Sequence, residues 1–258
     1  RWWQLQAPLT GGRSGHYCSM PRKSASSLPY PTDLESGELR KSADTRRRIM
    51  DATVHCLAHF GYAGTNAITV AELAKMTRSA LLYHFPTRMD LIGAAIHYVT
   101  LRRIEMFEVA MSKIEPGHDR VAEAIDEAWR QNQTEEYRAY SELSNAAHTD
   151  PDLAAVFRPA MAAYDLARRK TAMALFSAQE KRAEGFHLRR DVTRFLLDGL
   201  ATHGWFGDDG DTRAAQILQF LKVLAREPES RRLLAKAARD ATARPDRREP
   251  RKPPSRRG

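Results

Sequence analysis

Long apolar stretches are absent from this sequence. No uninterrupted run approaches the ~18 residues that a membrane-spanning helix needs. Cysteine is scarce too: Cys18 and Cys56 lie far apart in different contexts, so they do not suggest a disulfide, and a reducing compartment fits. The N-terminal segment lacks the apolar core of a secretory signal. These absences predict a cytoplasmic protein with no membrane partner.

Signatures of catalysis and of cofactor binding are also missing. The sequence has no glycine-rich phosphate loop and no nucleophile motif. Glu135, Glu136 and Glu142 are typical of a charged helix face rather than of paired catalytic carboxylates. His55 and His59 have the i, i+4 spacing of a metal pair, but they lie off the apolar stripe and no third ligand is near in sequence. We therefore predict no enzymatic activity, no cofactor and no metal site.

Positive charge is abundant but concentrated at the two ends. Of the formal net charge of +9, residues 243–258 carry +5 and residues 1–43 carry +3, which leaves +1 for the rest. Both end segments are rich in Pro, Gly, Ser and charge without an apolar period, which predicts disorder. The basic tail can add salt-dependent DNA affinity, and a plain solubilising role is the alternative. Met20 is a candidate for the natural start.

Between these ends, almost every segment repeats its apolar residues with a helical period. From Ile49 to Phe60 they follow the i, i+3, i+4, i+7, i+8, i+11 pattern of one face of an amphipathic helix. We expect Ser42 or Asp44 to cap this helix and Thr69 to cap the next. No segment alternates convincingly with period two, so we predict an all-α fold. The predicted helices cover residues 45–60, 70–76, 78–85, 88–114, 121–147, 151 onward with a kink or break at Pro159, 192–203, 217–224, and a last stretch to about Ala241.

The second and third of these helices are short and joined by a tight turn, which predicts a helix-turn-helix. In that motif the second helix enters the major groove of DNA, and its unpaired N-terminal amides favour phosphate. Arg78 can form a bidentate bond with guanine, and Thr77 and Ser79 can donate to phosphate or base edges. Tyr83 and His84 at the far end can reach the DNA backbone.

Residues 45–92, TRRRIMDATVHCLAHFGYAGTNAITVAELAKMTRSALLYHFPTRMDLI, resemble the N-terminal domain of the tetracycline-repressor (TetR) family of transcription regulators. The specific features are the helix ending in FGY, the ITVAELA helix and the ALLYHFPTRMDLI block. The resemblance implies a DNA-binding domain at residues 44–90 and a helical ligand-binding and dimerisation domain at residues 91–242. It also implies a homodimer, a near-palindromic double-stranded DNA operator and a small-molecule effector, with repression as the usual output.

The turn departs from the family pattern, because Lys75 stands where the family usually has glycine. A non-glycine residue with positive φ costs about 1 kcal/mol. Either Lys75 tolerates that conformation, with a phosphate contact to offset it, or the preceding helix ends differently. The residues predicted to contact DNA are Arg46, Thr69, Lys75, Thr77, Arg78, Ser79, Leu82, Tyr83, His84 and Arg88.

Beyond Leu91 the resemblance is loose, and site residues there are chosen by type. Aromatic residues at helical spacing are usually core, but some can line a pocket. The candidate pocket residues are Trp129, Tyr137, Tyr140, Phe157 and Tyr164. The candidate dimer-interface residues are Phe195, Leu196, Gly199, Leu200, Ile217 and Leu221. The long helix from Arg88 joins both domains, so we expect it to transmit the effector signal.

Two other classes of protein remain open at this point. One is an all-α small-molecule-binding protein or enzyme that has kept an inert helix-turn-helix head. The other is a DNA-binding protein that does not respond to a ligand, which a collapsed C-terminal cavity would favour. Loss of DNA binding on substitution of Arg78 and Tyr83 distinguishes a regulator from the first alternative.

Overall fold

The computed structural model describes residues 30–33, 40–115, 117–176, 185–203 and 210–243, and within these ranges the chain forms helices and no strand. In chain order the described helices are α1 (Arg40–Gly64), α2 (Ala67–Leu73), α3 (Arg78–His84), α4 (Arg88–Ser112), α5 (Arg120–Gln131), α6 (Glu135–Ala146), α7 (Pro151–Leu175), α8 (Phe186–His203), α9 (Gly210–Arg226) and α10 (Pro228–Ala243). The prediction of an all-α fold is confirmed. Across the described residues, no helix combines the length and apolarity needed to cross a bilayer.

The first three helices share one apolar core. Ile49 and Leu57 of α1 belong to the same buried cluster as Val70 of α2 and Leu81 of α3, and all four are almost fully buried. Phe85, directly after α3, closes the cluster. Helices α2 and α3 and the turn between them form the predicted helix-turn-helix, held by the apolar stripe that the sequence shows.

The folded part begins earlier than predicted. Helix α1 starts at Arg40, and residues 30–33 contact the fold although they were predicted to be disordered. The Tyr30 hydroxyl donates to Glu105 Oε2 at 2.9 Å, and its ring meets that of Tyr98 edge to face at 6.1 Å. An aromatic ring with a satisfied hydroxyl thus attaches this segment to α4. Residues 1–29, 34–39 and 244–258, also covered by the disorder predictions, lie outside the described ranges.

Side-chain caps set the starts of the short helices. Asn66, not Thr69, caps α2: its side-chain oxygen accepts from the amides of residues 68 and 69, which places Thr69 inside the first turn. Thr77 caps α3 in the same way. Ser42 and Asp44, predicted as caps of α1, lie within that helix because it begins at residue 40. The caps were misplaced because Asn, Ser, Thr and Asp all serve this role and several occur near each start.

Helix α4 connects the two halves of the molecule, packing against α1 as well as α5, α6 and α7. Its N-terminal half buries Leu91, Ile92 and Ile96 in the same cluster as Leu143 of α6 and Leu153 of α7. A capping box of Thr87 with Asp90 fixes its start. One continuous helix therefore carries core contacts from the helix-turn-helix into the C-terminal domain.

The predicted helix over residues 121–147 is in fact two helices. Helix α5 ends at Gln131, and Thr134 caps α6 by accepting from the Tyr137 amide at 3.3 Å. Glu135 and Glu136 lie in the first turn of α6, where their negative charge interacts favourably with the positive end of the helix dipole. The Thr-Glu-Glu start signal was overlooked because the apolar period runs on across the break.

The predicted break at Pro159 is wrong, since α7 continues as one helix from Pro151 to Leu175, whereas a kink there stays a prediction. Proline at residue 159 removes the hydrogen bond to the carbonyl four residues earlier, at Ala155. Both Ala155 and Pro159 are exposed, so water can satisfy that carbonyl. Phe157 and Ala160, on the opposite side of the helix, are buried and hold it against its neighbours.

The turn between α2 and α3 has a lysine, Lys75, in a backbone conformation that glycine usually adopts. Lys75 has φ of 53°, in the left-handed region, so the prediction that this residue tolerates the conformation is confirmed, while its phosphate contact stays a prediction. The Arg48 guanidinium donates from Nη2 to the carbonyls of Ala74 at 2.5 Å and of Lys75 at 3.2 Å. These contacts satisfy carbonyls at the C-terminal end of α2 and hold the strained turn in place.

Replacing Lys75 with glycine is expected to stabilise the protein. Glycine adopts φ of 53° without the side-chain clash, so Lys75→Gly should raise the free energy of unfolding by about 0.5–1 kcal/mol. Chemical denaturation of the full chain measures it. The matched control is Lys113→Gly, because Lys113 ends α4 with φ of −87° and gains nothing from glycine. Equal losses of stability in both variants would contradict a strained turn.

Candidate nucleic-acid interface and internal cavity

Helix α3 buries one side and exposes the other. Leu81 points into the core, whereas Arg78, Ser79 and Tyr83 are exposed, and Tyr83 has 83% of its surface accessible. The Tyr83 ring contacts that of His84 edge to face at 5.3 Å. Among the described residues, Arg78 has no ion-pair partner. A guanidinium, a hydroxyl and a phenol therefore face solvent together, and all three can donate to phosphates or base edges.

The other predicted contacts around α3 are placed less uniformly. Lys75 and Thr77 are exposed beside Arg78, although the Thr77 oxygen already accepts from the Ala80 amide at 3.1 Å. Leu82, His84 and Thr69 are half-buried at the edges of this surface. The structure thus brings the α3 residues and the turn onto one exposed face.

Arg46 does not belong to this face, and its predicted DNA contact is corrected here. The residue is buried, and its guanidinium donates to the carbonyl of Pro31 at 2.8 Å and to that of Asp33. It therefore fastens residues 30–33 to α1. Of its two arginine neighbours, Arg47 is exposed, and Arg48 is used at the end of α2.

Arg88 is likewise directed inward, so the structure replaces its predicted DNA contact with internal ones. Its Nε donates to the Thr65 carbonyl at 3.1 Å and its Nη2 to the Tyr62 carbonyl at 2.5 Å. The guanidinium also lies 4.0 Å from the centre of the Tyr62 ring. These contacts attach the start of α4 to the end of α1 and the loop before α2.

Tyr62 links the head, which comprises α1, α2 and α3, to the C-terminal domain. Its amide donates to Glu142 Oε1 at 2.8 Å, and its hydroxyl donates to Asp150 Oδ2 at 2.9 Å. Burial and the bond to Asp150 raise the pKa of the Tyr62 hydroxyl. Gly61 makes the approach possible, because its φ is 72° and a Cβ there would lie 3.0 Å from Glu142 Oε1. Tyr62 thus contacts α4, α6 and the start of α7.

A second link between α1 and α6 uses two imidazoles and one carboxylate. Glu135 lies 2.8 Å from His59 Nε2 and 3.3 Å from His55 Nδ1, and the nearby histidines lower the pKa of its carboxyl, His59 first. The donor atoms of the three lie within 4.8 Å of one another, so the fold supplies a third group where none was near in sequence. Two imidazoles with a carboxylate are a donor set that zinc accepts. The absence of a metal from this protein stays a prediction.

A cavity of about 150 Å³ lies between α4, α5, α7 and α8. Apolar side chains from these helices form much of its wall, among them Ile104, Phe107, Ile125 and Leu197. Its polar lining includes the described residues Arg103, Gln131, Asn132, Tyr164, Arg168, Thr171, Arg189, Arg190, Thr193, Arg194 and Asp198. Sequence reasoning missed these arginines because charged residues on a helix are usually solvated.

Among the five predicted pocket residues, the described cavity lining includes only Tyr164. Tyr137 is buried and Tyr140 is partly buried, both beside Arg103, and burial raises the pKa of Tyr137 to about 12. Phe157 belongs to the main core beside Tyr140, with ring centres 6.2 Å apart. Trp129 packs on a separate cluster around α5 and α9. Four of the five therefore support the cavity or the core instead of lining the cavity.

The candidate interface residues divide into two groups. Phe195 and Leu196 are exposed on α8, and the space around Gly199 is open. Leu200 and Leu221 are buried inside the chain, and Leu221 shares a cluster with Ile125 and Leu197, so neither can face a partner. Ile217 is partly buried on that cluster. On α9, sequence reasoning missed the exposed residues Phe220 and Val223.

Comparison with known proteins identifies relatives of this chain. A sequence profile described as "Bacterial regulatory proteins, tetR family" matches residues 49–95. The HTH-type transcriptional regulator CymR of Pseudomonas putida is 25% identical over 116 residues, which are 45% of this chain and 57% of that regulator. The chain therefore spans a little over half the length of CymR.

Two crystal structures show the same fold. A TetR-family transcriptional regulator from Rhodococcus sp. superposes with a TM-score of 0.53 at 20% identity, covering 70% of this chain and 99% of the other. A transcriptional regulator from Saccharomonospora viridis, in complex with choline, superposes with a TM-score of 0.50 at 16% identity, covering 72% and 97%. Both similarities concern the fold.

The contact between Tyr62 and Asp150 is expected to make stability depend on pH. The Leu153 amide and then the Tyr62 hydroxyl hold the pKa of Asp150 below its ordinary value of about 3.9. The stabilisation is therefore present above that value and is lost as pH falls through the lower folded pKa. Asp150→Asn, which can still cap α7, should lower Tm at pH 7 and match the wild type in strong acid. Asp152→Asn, in the same turn, is the control, and an equal loss there would contradict the specific role of Asp150.

Proposed function

Because the chain belongs to the tetR family of bacterial regulatory proteins, we propose that it is a ligand-responsive transcriptional regulator, and specifically a repressor that binds a near-palindromic operator as a homodimer. The observation that carries the DNA-binding part is the exposed face of α3. Its apolar side is buried in the head while Arg78, Ser79 and Tyr83 face outward together. A short helix that keeps its polar side free in this way suits the major groove.

The exposed apolar side chains of α8 and α9 support the dimer. Phe195 is 63% exposed on α8 and Phe220 is 59% exposed on α9, with Leu196 and Val223 next to them. Apolar side chains clustered at a surface are typical of a protein interface. A two-fold axis through these helices would form a four-helix interface, and the two α3 helices must then lie about 34 Å apart to read half-sites one turn of DNA apart.

The cavity and the route from it to the head support the response to a ligand. An effector can release DNA only if it binds better to a form whose two heads are wrongly spaced. Arg103 and Ile104 of α4 line the cavity, while Arg88 at the start of the same helix holds the loop between α1 and α2. A rotation or shift of α4 would therefore move the head.

The two alternative functions receive less support. An enzyme with an inert head would need catalytic groups in the cavity, whereas its described titratable lining consists of arginines, Tyr164 and Asp198. A regulator without a ligand would favour a collapsed cavity, and the cavity here is open and partly polar. A non-enzymatic, effector-controlled regulator fits both observations.

Selection of bound duplexes from a random DNA pool tests this function at physiological salt. The full chain should enrich a near-palindrome, because two identical heads read two half-sites. With the selected duplex, Arg78→Ala should weaken binding by about 5- to 150-fold, as expected for loss of a base contact of about 1–3 kcal/mol. Fluorescence anisotropy measures the change.

The matched control for Arg78→Ala is Lys113→Ala, an exposed cation at the far end of α4. It should bind the duplex within about twofold of the wild type, since only non-specific charge is lost. Both variants should keep the wild-type Tm. Enrichment of no sequence, or equal effects of the two variants, would sink the proposal that α3 reads DNA.

The proposed dimer can be broken at Phe195. In Phe195→Glu, two carboxylates would be brought into an apolar interface near the two-fold axis, and desolvating them costs several kcal/mol. Sedimentation velocity should therefore show a dimer for the wild type and a monomer for this variant. Leu166→Glu, an equally exposed apolar position on α7, should remain dimeric. A monomeric wild type would refute the proposed interface.

A further inference from the structure

The described lining of the cavity carries far more positive than negative charge. Arg103, Arg168, Arg190 and Arg194 all contribute to it, together with Arg189, while Asp198 is the one carboxylate among the described lining residues. The Asp198 carboxylate accepts from the Asn132 amide at 3.2 Å. The sites of positive charge come from three helices, α4, α7 and α8, so the excess belongs to the cavity and not to one helix face.

Nearby carboxylates compensate only part of this charge. Asp191 lies 3.3 Å from both Arg168 and Arg190, and 3.6 Å from Arg169 outside the cavity, so three guanidiniums share one acid. Asp165 also forms ion pairs with Arg168 and Arg169. The charge of these three arginines is therefore balanced by only two carboxylates, Asp165 and Asp191.

Arg103 has no carboxylate partner among the described residues. It is buried, and its guanidinium carbon lies 4.6 Å from the centre of the Tyr140 ring, 5.1 Å from that of Tyr137 and 5.8 Å from that of Tyr164. Cation–π contacts with three rings orient the side chain but do not replace an anion. Arg194 similarly stacks on Phe195 at 4.6 Å and has no carboxylate partner in the described part of the chain.

Several buried guanidinium nitrogens also lack a hydrogen-bond partner in the described structure. They are Nε of Arg103, Arg168 and Arg194, and both Nε and Nη1 of Arg190. Arginine stays charged in proteins, so these groups cannot relieve the cost by losing a proton. Burial, followed by repulsion from Arg168, lowers the pKa of Arg190. Buried unpaired donors and uncompensated charge of one sign are costly unless something binds them.

We propose that this cavity binds a small organic carboxylate, whose anionic group is held by Arg103 and Arg190 and whose apolar body fills the rest of the space. The inference rests on the proposed function, because it names the class of effector. Guanidinium groups bind carboxylates through paired N–H bonds, and Arg190 has two buried nitrogens without a partner while Arg103 has one. The apolar wall, with Phe107, Ile125 and Leu197, suits a hydrocarbon body, and a cavity of about 150 Å³ holds one aromatic ring.

The position of Arg103 gives such a ligand a route to the DNA-binding head. Arg103 and Arg88 lie on one uninterrupted helix, 15 residues apart, which corresponds to about 22 Å. A carboxylate that bonds Arg103 to Arg190 draws α4 toward α8. Arg88 then transmits the movement to the carbonyls of Tyr62 and Thr65.

The test uses the full chain and three carboxylate probes, acetate, benzoate and phenylacetate, each against its uncharged amide. Benzylamine is the cationic probe. Thermal unfolding and isothermal titration calorimetry should show that benzoate or phenylacetate binds and raises Tm, that the matching amide binds at least about tenfold more weakly, and that benzylamine does not bind. Amides that bind as tightly as the carboxylates would overturn the proposal.

Variants locate the binding. Arg103→Gln and Arg190→Gln should each weaken carboxylate binding by about tenfold or more, since a charge-assisted bond is lost. Arg169→Gln is the matched control: Arg169 shares Asp165 and Asp191 but does not line the cavity, so binding should stay within about twofold. Without ligand, Arg190→Gln should not lower Tm, because it removes a repelled buried charge. An equal loss of binding in Arg169→Gln would overturn the assignment.

Anisotropy with the selected duplex separates this inference from the proposed function. Carboxylate binding that requires Arg103 but leaves DNA affinity unchanged would support the anion site and refute the ligand response. Release of DNA by an uncharged compound, with no carboxylate bound, would refute the anion site and support the regulator. Release of DNA by a carboxylate, lost in Arg103→Gln, would support both.

Discussion

The contact between Arg88 and the end of α1 is the interaction on which the arrangement of the two domains depends. One guanidinium bonds the carbonyls of Tyr62 and Thr65, and the same tyrosine bonds Glu142 and Asp150 in the C-terminal domain. The head is therefore held by several directional bonds around Tyr62, in addition to the apolar core that α1 shares with α4, α6 and α7. A displaced α4 must either carry the head with it or break these bonds, which is the coupling that the proposed ligand response requires.

At the other end of α4, the dominant feature of the cavity is its positive charge. Residues 44–242 are nearly neutral in sum, and most of the net positive charge lies in the terminal segments. Several arginines nevertheless line one small cavity within these residues. Buried cations are tolerated there through aromatic rings and two shared carboxylates. An anion bound as proposed would offset this buried positive charge, and such a difference between two states is what a switch needs.

Much of the fold could be predicted from particular residues. The apolar spacing of α1, the Tyr-His-Phe-Pro end of α3 and the long period of α4 each identified a helix, because side chains that share one face must be buried together. The split between α5 and α6 escaped because a single threonine cap interrupts a period that otherwise continues. The exposed face of α3 follows from its buried face, because in a short amphipathic helix the residues that do not lie on the apolar side face solvent. The roles of Arg46 and Arg88 were not accessible, because their partners are backbone carbonyls that only the folded chain brings near.

The sequence by itself therefore determined the helical fold, the helix-turn-helix and the resemblance of residues 45–92 to the tetR family, since these follow from local periodicity and from short-range motifs. Only the tertiary structure decided which charged groups meet. Glu135 reaches two histidines 76 and 80 residues earlier, and arginines from α4, α7 and α8 converge on one cavity. Electrostatic and hydrogen-bonding sites depend on distances of a few ångströms between residues remote in the chain. No pattern along the sequence encodes those distances; the packing of the helices sets them.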